Sequence, residues 1–269
     1  MVPTETFKIK DASRQAERRR RKSQGLPASP DVGVLADMVS SLRHEAEEHL
    51  GHGVPSALAA TPNLAALYRE DIEDAFEYLS LKFLHNPNPH LPLFREPAAV
   101  YAGHGFGICR HPFDSHSCLD ELLKMPDTSV LTVLYTRSVL GVEICELASA
   151  YRYVPYPTSP TSMDFSLGSD ARHDNPDEWY YWQAVRERVL TAIAVNWPNN
   201  KPSKLFLMGE SAGDLMFRII LEDTVVGALG YNPDAYPGHE VFGAARGAAV
   251  LASRGGYFWN STQSPLILA

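Results

Sequence analysis

Between Asp31 and Gly51, apolar residues return every three or four positions: Val34, Leu35, Met38, Val39, Leu42, Ala46 and Leu50. That period lays them along one helical face, and Gly51 is placed to end the helix. Val54 to Ala60 has the length and apolarity of a short buried strand, broken by Pro62-Asn63. The helical period resumes in LAALYREDIEDAFEYLSL through Leu64, Leu67, Tyr68, Ile72, Ala75, Phe76 and Leu79, with Asn63 as the expected N-cap. His85 to Pro92, rich in proline and asparagine, reads as loop, and the glycine-dense REPAAVYAGHGFGIC fits helix or strand. Farther on, Val130 to Tyr135 and Leu140 to Leu147 form two strand-like runs about a turn near Arg137, a hairpin pattern. Tyr151 to Ser162 reads as extended, and Asp174 to Ala194 as a helix with Pro176 near its first position. Leu205 to Gly213, LFLMGESAG, predicts a strand entering a glycine turn. A helix to Asp223 and a last helix from about His239 to Ser253 follow. This alternation of strands and helices predicts an α/β fold.

The 269 residues give room for a substantial core, and 45% hydrophobic with 21% charged residues is an ordinary globular balance. A net charge of −8 argues against nucleic acid as the main partner. One run goes the other way, Arg14 to Lys22, and reads as a solvated helix or tail, with a localisation signal or anionic-surface contact as the alternatives. Residues 1–30 together read as a basic polar arm. Cys109, Cys118 and Cys145, with no apolar leader before them, predict free thiols and a reducing, cytoplasmic setting. No apolar run approaches a membrane span, and the Asn260-Ser-Thr acceptor pattern carries no meaning in such a setting.

G-x-S-x-G at Gly209–Gly213 invites a serine-hydrolase reading with Ser211 as nucleophile. That reading needs an acid and then a histidine downstream. His239 is the single histidine after Ser211, and 58 residues are too few for the rest of a hydrolase fold. No oxyanion-hole loop precedes the turn; Gly103-His-Gly105 is the nearest sequence. A small serine between glycines that merely permit a tight turn is the stronger reading.

Four stretches, in order, resemble the nucleotide-binding domain of DnaK-type chaperones and other actin-like ATPases. Val34 to Pro62 resembles that family's helix and strand leading to a V-P-type turn, and Leu64 to Leu81 the helix after it. Arg95-Glu-Pro-Ala-Ala-Val-Tyr-Ala-Gly103 is similar to the family's N-E-P-T-A-A-A-x-A-Y-G. LFLMGESAG, followed by Glu240-Val-Phe-Gly-Ala-Ala-Arg-Gly-Ala-Ala249, resembles its G-G-S strand-turn and its later E-A-V-A-x-G-A-A helix. The resemblance implies a truncated two-lobed actin-like fold with mixed sheets: an arm at 1–30, a first-lobe remnant at 31–125 and a second lobe at 126–269. It also implies that Glu96 is the cleft glutamate. The family's D-x-G-T-T hairpin has no counterpart in the chain. Where the family has D-L-G-G-G-T, this sequence has Leu134-Tyr-Thr-Arg-Ser-Val-Leu-Gly141. Backbone amides cradle phosphate only where side chains are absent, so Tyr135, Arg137 and Val139 in place of glycines predict the loss of ATP hydrolysis.

Eight aromatic residues between Tyr151 and Trp182 suggest either a plug over exposed core or an apolar pocket in the inter-lobe cleft. His104, Cys109, His111, His116 and Cys118 crowd together, but their spacing matches no zinc motif, so they read as loop residues or acid–base groups. Asp114 is positioned to orient one of these rings. The leading expectation is a nucleotide-independent actin-like fold that binds an apolar small molecule and, if an enzyme, acts as a cofactor-independent isomerase, cyclase or lyase. His104, His116, Tyr135 and Glu210 are the candidate catalytic groups. Glu96, Arg137, Glu143, Tyr151, Tyr153, Trp179, Ser211 and Arg246 are the candidate binding groups. Arg246 needs a partner, for which Glu210 or Glu240 is suited. No metal or cofactor is expected, and a second copy of the chain is a possible complement to the shortened lobe. A pseudo-ATPase protein-interaction module and the Ser211 hydrolase are the rival readings.

Overall fold

A computed structural model of the chain describes residues 11–64, 67–86, 93–155, 163–174, 177–196, 201–236 and 240–254. The expected loop at 87–92, Tyr156, Pro176, His239 and the Asn260 acceptor pattern lie outside the described residues. The chain is mixed α/β and divides into two compact units, one holding residues up to 59 with 64–85, the other 60–63 with residues from 86 onward.

The first unit is mostly helical: α1 (Ala12–Ser23), α2 (Pro30–Leu50) and α3 (Arg69–Tyr78), with Ser56–Ala57 paired in parallel to Lys82–Phe83. Asp11 caps α1 by accepting from the amides of Ser13 and Arg14, and Ser29 caps α2 just before Pro30. Gly51 ends α2 in the left-handed region, as its position in the sequence suggests.

The buried face of α2 keeps only part of the expected stripe: Leu35 packs on the core, and Val39 and Ala46 are half-buried. Val32 and Ala36 pack with Ala28 and Ala75, while Val34, Met38 and Leu42 face outward, Val34 at 71% exposure. Both stripes have the helical period, and small side chains win the contact with α3. Asn63 is not an N-cap either: α3 begins at Arg69 after an extended Tyr68, and Asn63 lies in the second unit.

The basic run forms α1, and one face of it is not solvated. Arg14, Arg18 and Lys22, four residues apart, meet Glu70, Asp71, Asp74 and Glu77 of α3. Arg18, 4% exposed, donates to Asp71 at 2.6 Å, to Asp74 at 2.5 Å and to the Glu70 carbonyl at 3.1 Å. A guanidinium reaches three acceptors in one plane and an ammonium does not. Arg18→Lys is therefore expected to lower stability by about 2 kcal/mol, read from the urea midpoint. An unchanged midpoint would mean that the network is ornamental.

A six-stranded sheet forms the second unit: β1 (Thr128–Tyr135), β2 (Leu140–Ser149), β3 (Arg152–Pro155), β4 (Met163–Asp164), β5 (Lys204–Met208) and β6 (Asp234–Tyr236). Its order is β6-β5-β1-β2-β3, with β4 also on β2. β1 and β2 form the expected antiparallel hairpin, from Thr128 opposite Leu147 to Tyr135 opposite Leu140. β5 runs parallel to β1, and β6 parallel to β5.

Strand alternation sorts the two faces. Leu131, Val133, Tyr135, Val142, Ile144 and Leu207 pack under α6 (Glu178–Asn196) and α7 (Leu215–Leu229). Thr132, Leu134, Glu143 and Met208 point the other way, where α4 (Glu96–Gly103) and α8 (Gly243–Arg254) pack together. Between them, α5 (Ser115–Leu123) starts at Asp114, which accepts from the amides of His116 and Ser117. Asp114 is thus a helix cap, and the His116 beside it acts on it through charge.

Cys109 and Cys118 form a disulfide, which corrects the expectation of three free thiols; Cys145 is free and buried. The turn at His111–Asp114 brings Cys118, on the first turn of α5, back to Cys109, nine positions earlier. No described helix is long and apolar enough to cross a membrane.

Candidate functional site

The β1–β2 turn and the glycine turn after β5 lie against each other. Gly209 has φ of +100°, and a Cβ there would stand 2.2 Å from the Tyr135 carbonyl oxygen. That carbonyl instead accepts the amide of Ser211 at 3.1 Å. The hairpin amides are already occupied: Arg137 N–H donates to the Glu210 carboxylate at 2.9 Å, and Ser138 and Val139 N–H donate to Thr136 Oγ1 at 3.3 and 3.1 Å. The Arg137 guanidinium is forked onto Asp170 through three contacts of 2.9–3.1 Å. A turn of this kind, with open amides, suits an anion; here Glu210 and the Thr136 hydroxyl take those amides.

Ser211 Oγ sits 2.8 Å from Ser169 Oγ. Among the described residues no histidine is hydrogen-bonded to it, and His239 lies outside them. Ser211→Ala is expected to cost no more than about 1 kcal/mol, the net worth of one neutral hydrogen bond, and to leave fluorophosphonate labelling unchanged.

On the α4 side of the sheet, a pocket is lined by Asn63, Glu96, Thr132, Leu134, Glu143, Met163 and Met208. Its space for the centre of a water molecule is about 10 Å³, room for about one water. Glu143 rises from β2 and is 7% exposed, and the Tyr153 hydroxyl donates to its Oε1. Burial pushes the Glu143 carboxyl up, partly offset by that hydrogen bond and by Arg95. Glu96, at the first turn of α4, is pushed up to about 7 by burial and by the nearby Glu143. Arg95 itself is held on Thr61 Oγ1 at 3.3 Å and the Pro62 carbonyl at 3.1 Å. Two carboxyls thus line one small pocket, and the charge of Glu143 helps to raise Glu96 toward neutrality.

Three of the expected binding groups, Glu96, Glu143 and Tyr153, therefore come together. Tyr151 is buried edge-on to Phe94 at 6.0 Å, and its phenol is pushed up to about 12 by burial. Of the expected catalytic groups, Tyr135 is buried on the opposite face, stacked on Phe217 at 4.0 Å and sharing a 2.8 Å hydrogen bond with the Tyr181 hydroxyl. His104 lies against Phe206 and Tyr236, at 5.0 and 5.6 Å. His116 is exposed on the first turn of α5, and Glu210 holds the hairpin turn.

Glu240 accepts from Arg218, and Arg246 is exposed on α8. Tyr181 and Trp182 belong to the core, whereas Phe165, Trp179 and Tyr180 are exposed. No group of three or more metal-ligating side chains converges among the described residues. Thr132, Met163 and Met208 are pocket residues that pattern alone did not single out. Strand alternation from Glu143 to its β1 partner Thr132 was the available signal. Compared with protein-family models and with curated proteins, the sequence matches none.

Proposed function

We propose that the chain is a nucleotide-independent actin-like fold whose Glu96–Glu143 pocket binds a small apolar molecule and moves a proton on it without a cofactor. The observation that carries this is the buried carboxyl pair, with Glu96 poised to hold or release a proton at neutral pH. The hydrogen bond from Tyr153 fixes the orientation of Glu143, and Thr132, Leu134, Met163 and Met208 supply the walls. Met163 Sδ lies 2.7 Å from where a Cβ on residue 141 would stand, so a flexible thioether fills space left by Gly141. The pocket holds about one water as it stands, so a larger ligand enters only as this flexible thioether moves aside.

The hairpin turn supports independence from nucleotide, because Glu210 and Thr136 hold the amides that a phosphate would need. The actin-like reading draws support from an antiparallel hairpin set beside a glycine turn, and from the glycine-bearing α8 packed on α4.

The test uses 3-cyclohexen-1-one, a small apolar ketone whose double bond moves into conjugation when a base carries its α-proton to the γ-carbon. The protein is expected to speed this shift, and Glu96→Gln to lose at least about tenfold of the acceleration. No acceleration over buffer, or equal rates for the two proteins, overturns the reading; Mg-ATP binding with turnover overturns independence from nucleotide.

Phe165, Trp179 and Tyr180 stand exposed within the aromatic segment, and this favours a protein-interaction module as the second reading. Loss of partner capture on Trp179→Ala, with isomerisation absent, would put that module first.

A further inference from the structure

A larger cavity, about 650 Å³, lies near the C-terminal end of α4 and shares no lining residue with the carboxyl pocket. That volume is within the range of small-molecule sites, about 300–1,000 Å³. One wall is the loop 105–110 and the other includes Met125, Pro126 and Ala148. The loop is tied at four points. Ala150 N–H donates to the Gly107 carbonyl at 2.9 Å, Cys109 is bridged to Cys118, Arg110 N–H donates to Glu121, and Arg254 donates to the Cys109 carbonyl at 2.8 Å. Gly107, at φ +65°, admits no side chain: a Cβ would stand 2.5 Å from the Ala150 nitrogen and 2.6 Å from the Tyr101 ring.

Phe106 is stacked on Tyr101 at 5.3 Å, and Lys204 Nζ sits 4.4 Å from its ring centroid. The cavity is therefore pre-formed, which spares a ligand the cost of ordering it. Its lining has two arginines, Arg110 and Arg254, and no carboxylate, on a protein whose net charge is −8. Glu121, the acid next to Arg110, is engaged by the Arg110 amide and by His111, and its charge also acts on the Arg110 guanidinium.

We propose that this cavity binds an amphipathic organic carboxylate, its anion held by Arg110 and Arg254 and its apolar body laid against Tyr101, Phe106 and Met125. The probe is 1-pyrenebutyrate, with its uncharged counterpart 1-pyrenebutanol, followed by fluorescence with the full chain. Saturable binding at one per chain is expected, with the alcohol at least about tenfold weaker, the worth of a charge-assisted hydrogen bond. Arg110→Gln, at an exposed position, is expected to weaken the carboxylate by the same factor and leave the alcohol unchanged. Ala148→Phe, which fills the opposite wall, is expected to displace both probes, and a thermal melt of each variant verifies the fold. Equal affinity for the two probes, indifference to Arg110→Gln in a folded variant, or binding that does not saturate overturns the proposal.

Discussion

Gly247→Ala is expected to destabilise the protein by more than about 3 kcal/mol, at or beyond the upper end of overpacking costs. A methyl group there would be centred 1.6 Å from the Ala99 carbonyl oxygen and 2.4 Å from its carbon. Neither atom can rotate aside, since both are backbone of α4. A Cβ on Gly103 would likewise come within 2.8 Å of the Gly243 carbonyl oxygen. The two helices thus touch main chain to main chain, and a side chain at 247 must push α8 away as a body. That displacement withdraws Leu251 and Ala248, both buried, from their contacts. Gly227→Ala is the control: it sits in α7, exposed, with nothing within 4 Å of the added methyl. It is expected to stabilise by about 0.5–1 kcal/mol through helix propensity alone. A Gly247→Ala protein melting within two degrees or so of the parent would refute the close approach.

Gly243 and Gly247 were visible in the sequence as part of Glu240–Ala249, a stretch the family resemblance includes, but their partner was not. The contact joins residues about 150 positions apart, beyond the reach of any local pattern. Local signals worked where the cause is local: the β1–β2 hairpin, the Gly51 cap of α2 and the strand-turn-helix at Gly209. They failed where two answers satisfy the same period. Val34, Met38 and Leu42 are as helical as Val32 and Ala36, and only the fit against α3 chose between them.

The basic run looked solvated because its acidic counterparts lie more than 50 residues downstream. At the site, Glu143 was legible as one of two carboxylates, with Glu146, within the apolar strand Leu140–Leu147. Its partnership with Glu96 and Tyr153 was not, because three separate elements supply the groups. The histidines had suggestive density and no convergence, since α5 and α4 carry His116 and His104 to different surroundings.

Stability is expected to fall as pH rises from about 4.5 to 7, and Glu96→Gln to remove much of that fall. The Glu96 carboxyl has an ordinary value of 4.5 in the unfolded chain and about 7 in the folded one. Within that window the folded state holds the proton that the unfolded state has released, so the proton stabilises the fold and raising the pH takes it away. Below the window both states are protonated and the burial costs no charge; above it the folded chain carries an anion beside Glu143. Holding the proton through one further pH unit is worth about 1.4 kcal/mol, and discounted for solvent screening of a partly exposed group the loss is about 2–3 kcal/mol.

Burial pushes Glu143 the same way, so its titration deepens the fall and does not cancel it. Arg95 and the Tyr153 hydroxyl face Glu143 and temper this rise. Glutamine at 96 keeps the shape and discards the charge. Glu96→Gln is therefore expected to match the parent near pH 4.5 and to exceed it by about 2 kcal/mol at pH 8, read from urea midpoints. A difference between the two proteins that stays constant with pH would show that Glu96 ionises freely. It would then be available at neutrality as a base only, because a carboxyl at its ordinary value has already released its proton there.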